Sequence, residues 1–280
     1  MPADKRSDNE PSRRGNSEYQ WAAFDSEAYF NHYYGESHPD DDRVIECAVE
    51  ALKQARPGGE LDLVDVGTGP NPIPLFCALS RARSLTVWEY AESNVAWLKA
   101  ELAKDAMRPQ WQHFWGVTRR AYGADHALPE NPMPALRAKT SVRQGSIFDL
   151  PERRWDAATM FFCAESITER KDKFERACAA YARSVKQGGA LIAAFLVRPA
   201  GYVVADRPFS GSEPLGRDDR GGVLPSRRCD EGRTDRHQGA RNSQRLFRVR
   251  VSHRHRPLIS RARRRCVARR AVRLGAIGCS

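Results

Sequence analysis

The sequence predicts an α/β chain built on a doubly wound, mostly parallel sheet, and three observations carry that expectation. Short apolar runs alternate with helical patterns between residues 60 and 199, the rhythm of parallel strands joined by crossover helices. A glycine-bearing loop, Gly67-Thr68-Gly69-Pro70, sits directly between the first run and the next helical pattern. An acid, Glu89, closes the second run twenty residues after Gly69.

Residues 1–18 are polar and charged and are expected to be disordered. Aromatics crowd the stretch from Trp21 to Tyr34, and the spacing of Phe30, Tyr33 and Tyr34 predicts a short amphipathic helix. A second helix is expected from Pro39 to Gln54, with Val44, Ile45, Ala48, Val49 and Leu52 on one side. It stops at Arg56-Pro57-Gly58-Gly59. Residues 19–58 therefore read as N-terminal lid helices ahead of a core at 59–209.

Within that core, LDLVDVG (61–67) is the first strand, and Asn71-Pro72 reads as the cap and first position of a helix reaching about Arg81. Pro74 is tolerated in that first turn. SLTVWEY (84–90) is the second strand and SNVAWLKAEL (93–102) its helix. Residues 105–140, with Trp111, Phe114, Trp115 and a proline-rich run, read as an irregular segment. The third strand and its exit fall in VRQGSIFDLP (142–151), and the fourth in WDAATMFFCAES (155–166). KFERACAAYARSVK (173–186) is a helix that Gln187-Gly188-Gly189 turns into the fifth strand, ALIAAFLV (190–197).

The net charge of +11 is unevenly placed. Residues 1–209 hold 27 Lys+Arg against 29 Asp+Glu, a net of −2, so the core carries no electrostatic footprint for a phosphate backbone. Residues 210–280 hold 19 Arg, no Lys and 6 acids, a net of +13, with little sustained period; only Leu246 to Val251 alternates like a strand. This irregular Arg-rich C-terminal tail has the composition that out-of-frame translation of GC-rich DNA produces. A nucleic-acid-binding tail and an unusual subdomain remain open beside that reading, and nucleic acid is an expected partner only if the tail is genuine.

Seven cysteines (47, 77, 163, 178, 229, 266 and 279) form no CxxC pair and read as reduced thiols of a cytoplasmic protein. No run of 18 apolar residues occurs, so no membrane span is expected. The histidines lack ligand spacing, no metal is expected, and no GxSxG anchors a hydrolase triad. A monomer is the expected state.

After a strand and before a helix, glycines let the backbone approach a ligand, and helix amides favour polar or anionic groups. An acid at the position of Glu89 can accept both ribose hydroxyls of a nucleoside. An ordinary turn is the competing reading of the loop. Pro72 replaces the third glycine of GxGxxG, which disfavours a dinucleotide, and no GxxxxGK[ST] is present.

Further stretches sharpen the choice of nucleoside: Phe24-x4-Tyr29-Phe30-x2-Tyr33-Tyr34, then LVDVGTGPNPIPLF, VWEYAESNVAWL, FFCAESI, QGGALI and GYVVADRPF (201–209). In this order they resemble the nicotinamide, phenylethanolamine and thioether methyltransferase family, over roughly residues 24–209. The resemblance implies a Rossmann-like class I methyltransferase fold and S-adenosylmethionine as cofactor. It implies that Gly67, Thr68, Gly69 and Pro70 form the cofactor loop, that Tyr29 and Tyr34 close over it, and that Glu89 holds the ribose. Tyr90 and Asn94 would flank the adenosine, Ser146 and Ile147 would border the adenine, and Phe162 and Cys163 would face the cofactor. Glu165 takes the place of an acid that engages an amine, and Tyr202 that of a substrate-lining tyrosine. A packed aromatic stripe, a solvated glutamate and a packing tyrosine are the plainer readings of the lid cluster, Glu165 and Tyr202.

The expected function is methyl transfer to a small-molecule acceptor, an amine or a pyridine nitrogen. A chain that binds cofactor without turnover, and a nucleic-acid binder using the tail, are the alternatives.

Overall fold

β1 (Leu61–Val66), β2 (Ala82–Glu89), β3 (Thr140–Gln144), β4 (Trp155–Phe161) and β5 (Val185–Val197) lie in the order β3-β2-β1-β4-β5, every neighbouring pair parallel. The computed structural model describes residues 19–55, 58–124, 126–197, 202–204, 207–209, 245–254 and 269–276. The expected disorder of residues 1–18 and most of the tail lie outside the described residues. β1 and β4 are buried at nearly every position rather than at alternate ones, as strands covered by helices on both faces must be. The chain order runs outward from β1 through β2 to β3 and, on the other side, through β4 to β5. The reversal between β1 and β4 is a topological switch point, where a crevice opens beyond the carboxyl ends of the strands.

The sheet continues past β5. β8 (Arg245–Arg254), which contains the alternating stretch Leu246–Val251, runs parallel to β5, and β9 (Arg269–Ala276) runs antiparallel to β8. β6 (Tyr202–Val204) and β7 (Arg207–Phe209) form a separate antiparallel hairpin.

The N-terminal helices α1 (Ser26–Tyr34) and α2 (Pro39–Gln54) form where expected, the second at the expected bounds. Asp25 caps α1 by accepting from the Ala28 N–H at 2.9 Å. Pro39 pre-sets the first turn of α2, and Ile45, Ala48, Val49 and Leu52 are buried against the sheet. α3 (Ile73–Leu79), α4 (Glu92–Leu102) and α7 (Lys171–Arg183) complete the crossover layers.

Three expectations need correction. Residues 105–140 are not irregular: they hold α5 (Pro109–Tyr122) and α6 (Met133–Lys139). Trp111, Phe114, Trp115, Thr118 and Tyr122 fall at i, i+3, i+4, i+7 and i+11 and are all buried, a helical stripe lying along α2. The prolines that suggested irregularity start these helices; Pro109 and Pro134 occupy first-turn positions, where a missing N–H costs nothing. Secondly, the third strand starts at Thr140, ahead of its expected stretch; it ends at Gln144, and its exit holds a 3-10 turn, Ile147–Asp149, capped by the Ser146 hydroxyl. Thirdly, β5 begins at Val185 and its ladder to β4 jumps from Val185 to Ala190, so the Gln187-Gly188-Gly189 turn is an irregularity within the strand. Among the described residues no helix is long and apolar enough to cross a membrane.

Candidate functional site

At the carboxyl ends of β1, β2 and β4 lies a pocket that encloses about 790 Å³ of space, part of it open to solvent. Tyr29, Tyr34, Gly67, Thr68, Gly69, Pro70, Glu89, Tyr90, Asn94, Ser146, Ile147, Phe162 and Cys163 all line it. Residues as far apart as 29 and 163 therefore share one wall-to-wall space. Trp21, Phe24, Asn71, Trp88, Ser166 and Ile167 line it too, although no motif had marked them as site residues. Phe24 had shown as the first residue of the aromatic motif, and Trp21 only as part of the aromatic cluster.

The loop after β1 explains its own sequence. Gly67 has φ +67°, and a Cβ there would lie 2.2 Å from Cys163 Sγ, so both conformation and space require glycine. Gly69 has φ +58°, and a Cβ there would meet nothing within 4 Å; its backbone faces open space that a ligand can approach. Beneath the loop, Thr68 Oγ1 and Thr159 Oγ1 each donate to the buried Asp65 carboxylate at 2.5 Å. Burial pushes the Asp65 carboxyl up to about 7, against the opposing hydrogen bonds from Thr159 and Thr68. In the sequence Asp65 reads as one residue of a strand, because it shares its short apolar run with Asp62 and neither gives a periodic signal.

Glu89 ends β2 and is buried. Its Oε2 accepts from the Gly69 N–H at 2.8 Å, and its Oε1 from the Ala91 N–H at 2.9 Å and Asn94 Nδ2 at 3.4 Å. Ser26 Oγ of α1 donates to Asn94 Oδ1 at 2.7 Å, so the lid reaches the same cluster. Burial raises the Glu89 carboxyl above the usual carboxylate range, opposed by those backbone and amide donors. A carboxylate offers about four lone-pair sites, and three donors already occupy Glu89, so about one is left for a ligand hydroxyl. Tyr90 stands at the rim, 45% exposed.

The lid lies over this wall through aromatic and polar ties. Asn71 Nδ2 donates to the Tyr34 hydroxyl at 2.8 Å, while Asn71 Oδ1 accepts from the Ile73 N–H at the start of α3. Phe24 and Tyr29 lie 5.4 Å apart between ring centres, and Trp21 stacks on Phe24 at 6.1 Å. Val204 of β6 is buried against Phe24, which joins the hairpin after β5 to the lid. Farther out, Arg108 donates to both carboxylate oxygens of Glu27, at 2.6 and 3.0 Å, and to Glu101 on α4.

At the end of β4, Phe162 adopts φ +57° without being glycine, a conformation that costs on the order of 1–3 kcal/mol and that persists where a site demands it. Cys163 packs against Gly67, and burial together with the nearby Glu89 charge pushes its thiol well above the usual range. On the side of the third strand, Trp88 Nε1 donates to the Ser146 carbonyl at 2.9 Å.

Glu165 and Tyr202 are placed differently from the other expected residues. Glu165 is fully buried and does not line the cavity; its Oε1 accepts from the Leu196 N–H of β5 at 2.7 Å. Ser166 and Ile167 present themselves to the cavity beside it. Tyr202 opens β6, and its side chain lies outside the described residues.

Comparison with known proteins places this arrangement. A family model described as the NNMT/PNMT/TEMT family matches residues 14–217. No curated protein sequence matches. Among solved structures, DesVI from Streptomyces venezuelae matches with 13% identity and a TM-score of 0.42, over 64% of this chain and 61% of that one. The sugar N-methyltransferase KedS8 from a Streptoalloteichus species matches with 17% identity and a TM-score of 0.40, over 66% and 59%. CalS10, an amino pentose methyltransferase from Micromonospora echinaspora solved with its cofactor bound, matches with 17% identity and a TM-score of 0.37, over 62% and 58%. Against structures from Bacillus halodurans and Bacillus subtilis the chain spans about half of the other chain's length, 48% and 47%.

Proposed function

The chain belongs to the NNMT/PNMT/TEMT family, and on that premise we propose that it transfers a methyl group from S-adenosylmethionine to a small-molecule acceptor, through an amine or pyridine nitrogen. The observation that carries the reading is the convergence of the Gly67–Pro70 loop, Glu89, Asn94 and the lid tyrosines on one cavity. The residues fit the cofactor on grounds of their own chemistry. Gly69 leaves its backbone open to a ligand, and the buried Glu89 can accept a hydroxyl donor. The aromatic faces of Tyr29 and Tyr34 suit a cationic centre.

When bound, S-adenosylmethionine supplies an electrophilic methyl group on a sulfonium. The chain's own residues then bind, orient and shield. Glu89 and Asn94 fix the nucleoside, while Gly67 and Gly69 let the backbone come close. Trp21, Phe24, Tyr29 and Tyr34 cover the cavity and exclude water. In-line transfer needs no protein nucleophile, so holding the acceptor nitrogen aligned supplies most of the catalysis. Glu165, next to the cavity-lining Ser166, is the acid we assign to take up the proton released by an amine. Tyr202 is assigned to the acceptor side.

Calorimetry of the full chain with S-adenosylmethionine and with S-adenosylhomocysteine tests the reading. One saturable site is expected; a folded chain that takes up neither overturns the cofactor assignment. Mass spectrometry of a panel of amines and pyridines after incubation then tests turnover, with addition of one methyl group as the expected result. Binding without any methylated product would make the chain a cofactor binder only.

A further inference from the structure

Trp88 is the second-last residue of β2, beside Glu89, and it is a lining residue that the motif VWEYAESNVAWL contains but that had no assigned role. Its indole packs onto the turn that follows β3. Nε1 donates to the Ser146 carbonyl at 2.9 Å. Gly145 lies so close that a Cβ on it would stand 2.6 Å from two carbons of the ring. The same turn is held from below, since the Gly145 N–H donates to the Glu89 carbonyl at 2.9 Å. Trp155 braces the far side of the indole, edge to face at 6.2 Å.

The Ser146 carbonyl also receives the Asp149 N–H at 3.0 Å. It is thus turned into the protein by two donors, and the rest of the turn, Ser146 and Ile147, is left to face the cavity. The register pairs Glu89 with Gln144, so a nucleoside whose ribose is held at Glu89 lays its base against residues 145–147. We propose that Trp88 is a positioning residue that fixes the Gly145–Ile147 turn and thereby sets how selectively the site reads the cofactor's base. Gly145 is glycine because the indole occupies the space its side chain would need. This inference rests on the cofactor reading above.

Calorimetry of the full chain with S-adenosylhomocysteine and with S-inosylhomocysteine, which differs only in the base, tests it. In Trp88→Phe, which keeps a ring and loses the N–H, affinity for S-adenosylhomocysteine falls about 3- to 10-fold, the scale of one neutral hydrogen bond. The ratio of the two affinities falls by at least about 3-fold, because the inosine analogue gains less from an ordered turn. Gly145→Ala, which leaves Trp88 in place but crowds it, shifts the ratio in the same direction. Adding Gly145→Ala to Trp88→Leu costs less than Gly145→Ala alone, since the clash has gone.

Thermal unfolding identifies any variant that fails to fold, and the ratio is then read from the other. A merely structural role would lower the folded fraction and leave the ratio unchanged; an unchanged ratio in folded Trp88→Phe and Gly145→Ala overturns the proposal. Absence of binding by the unsubstituted chain overturns the cofactor reading instead, so the two failures are distinct.

Discussion

The two walls of the cavity are made from different kinds of sequence. The wall of Gly67–Asn71, Glu89 and Asn94 comes from one β-loop-α-β-α run, and its ties span at most about twenty residues, as from Gly69 N–H to Glu89. The opposite wall is assembled from the lid, the end of β4 and the hairpin after β5, as when Phe24 meets Val204 or Glu165 meets Leu196. In the first wall, loop, strand end and helix start are tied by short-range hydrogen bonds. The second depends on long-range packing, where a change in one piece moves another. On the function proposed above, the first wall would hold the nucleoside, and the second would cover the cofactor and take the acceptor.

The largest expected effect breaks the first wall. Gly67→Ala meets both a left-handed φ and the Cys163 sulfur, and should cost about 3 kcal/mol or more, strain and overpacking together. Gly69→Ala carries the strain alone, since its Cβ meets nothing, and should cost about 1–2 kcal/mol. Urea denaturation of both variants checks this; equal losses would show that Cys163 does not constrain the loop.

Next in size is a test of the opposite wall. If Glu165 takes a proton from the acceptor, Glu165→Gln should lower kcat about 100-fold while cofactor affinity stays within about 3-fold, because the amide oxygen can still accept from Leu196 N–H. If instead cofactor affinity falls with kcat, the residue serves only to hold β5 and the division between the walls is less clean.

Glu89→Gln should weaken S-adenosylhomocysteine binding by about 1–3 kcal/mol, the scale of hydrogen bonds to a charged group, with unfolding little changed. The pH dependence has a definite sign. Burial raises the Glu89 carboxyl, and a ligand hydroxyl favours its ionised form. Affinity should therefore decline on acidification starting at a higher pH than an ordinary glutamate would give, and Glu89→Gln should flatten that decline. Asp65 beneath the loop contributes differently, to stability. Its native carboxyl, raised to about 7, favours the folded state while protonated, fully below its unfolded value of 3.8 and less as pH rises through 7. Asp65→Asn should remove that loss between pH 3.8 and about 7 from a series of thermal melts; identical slopes in both proteins would contradict the assignment.

The contrast between the walls also explains what could be read in the sequence. β1, the glycine loop and Glu89 announce themselves because period, turn chemistry and spacing agree within thirty residues. Asp65 and Trp88 stay silent since their roles lie in what they face across the sheet, Thr159 in one case and Ser146 in the other. α5 was hidden by composition: prolines and three bulky aromatics suggested irregularity, although Trp111, Phe114 and Trp115 already had helical spacing. Glu165 was legible as an acid after β4, but its burial behind the cavity wall was not, because it is set by the approach of Leu196 from β5.

The smallest effect expected concerns the seam where the two walls meet. Arg108 forks onto Glu27 of α1 and reaches Glu101 of α4, with its guanidinium 4.7 Å from the centre of the Phe30 ring. Glu27 is half exposed, and water screens such a pair, so the pair itself contributes up to about 1 kcal/mol. Glu27→Gln should leave global unfolding within about 0.5 kcal/mol yet speed release of S-adenosylhomocysteine a few-fold, because the lid must lift for the ligand to leave. Stopped-flow dissociation at low and high salt separates the possibilities. In the unsubstituted chain release should quicken with salt as the pair is screened, and in Glu27→Gln it should not. Equal salt responses would mean that the aromatic packing of Phe24, Tyr29 and Tyr34 holds the lid by itself, and that the second wall needs no ionic tie to the first.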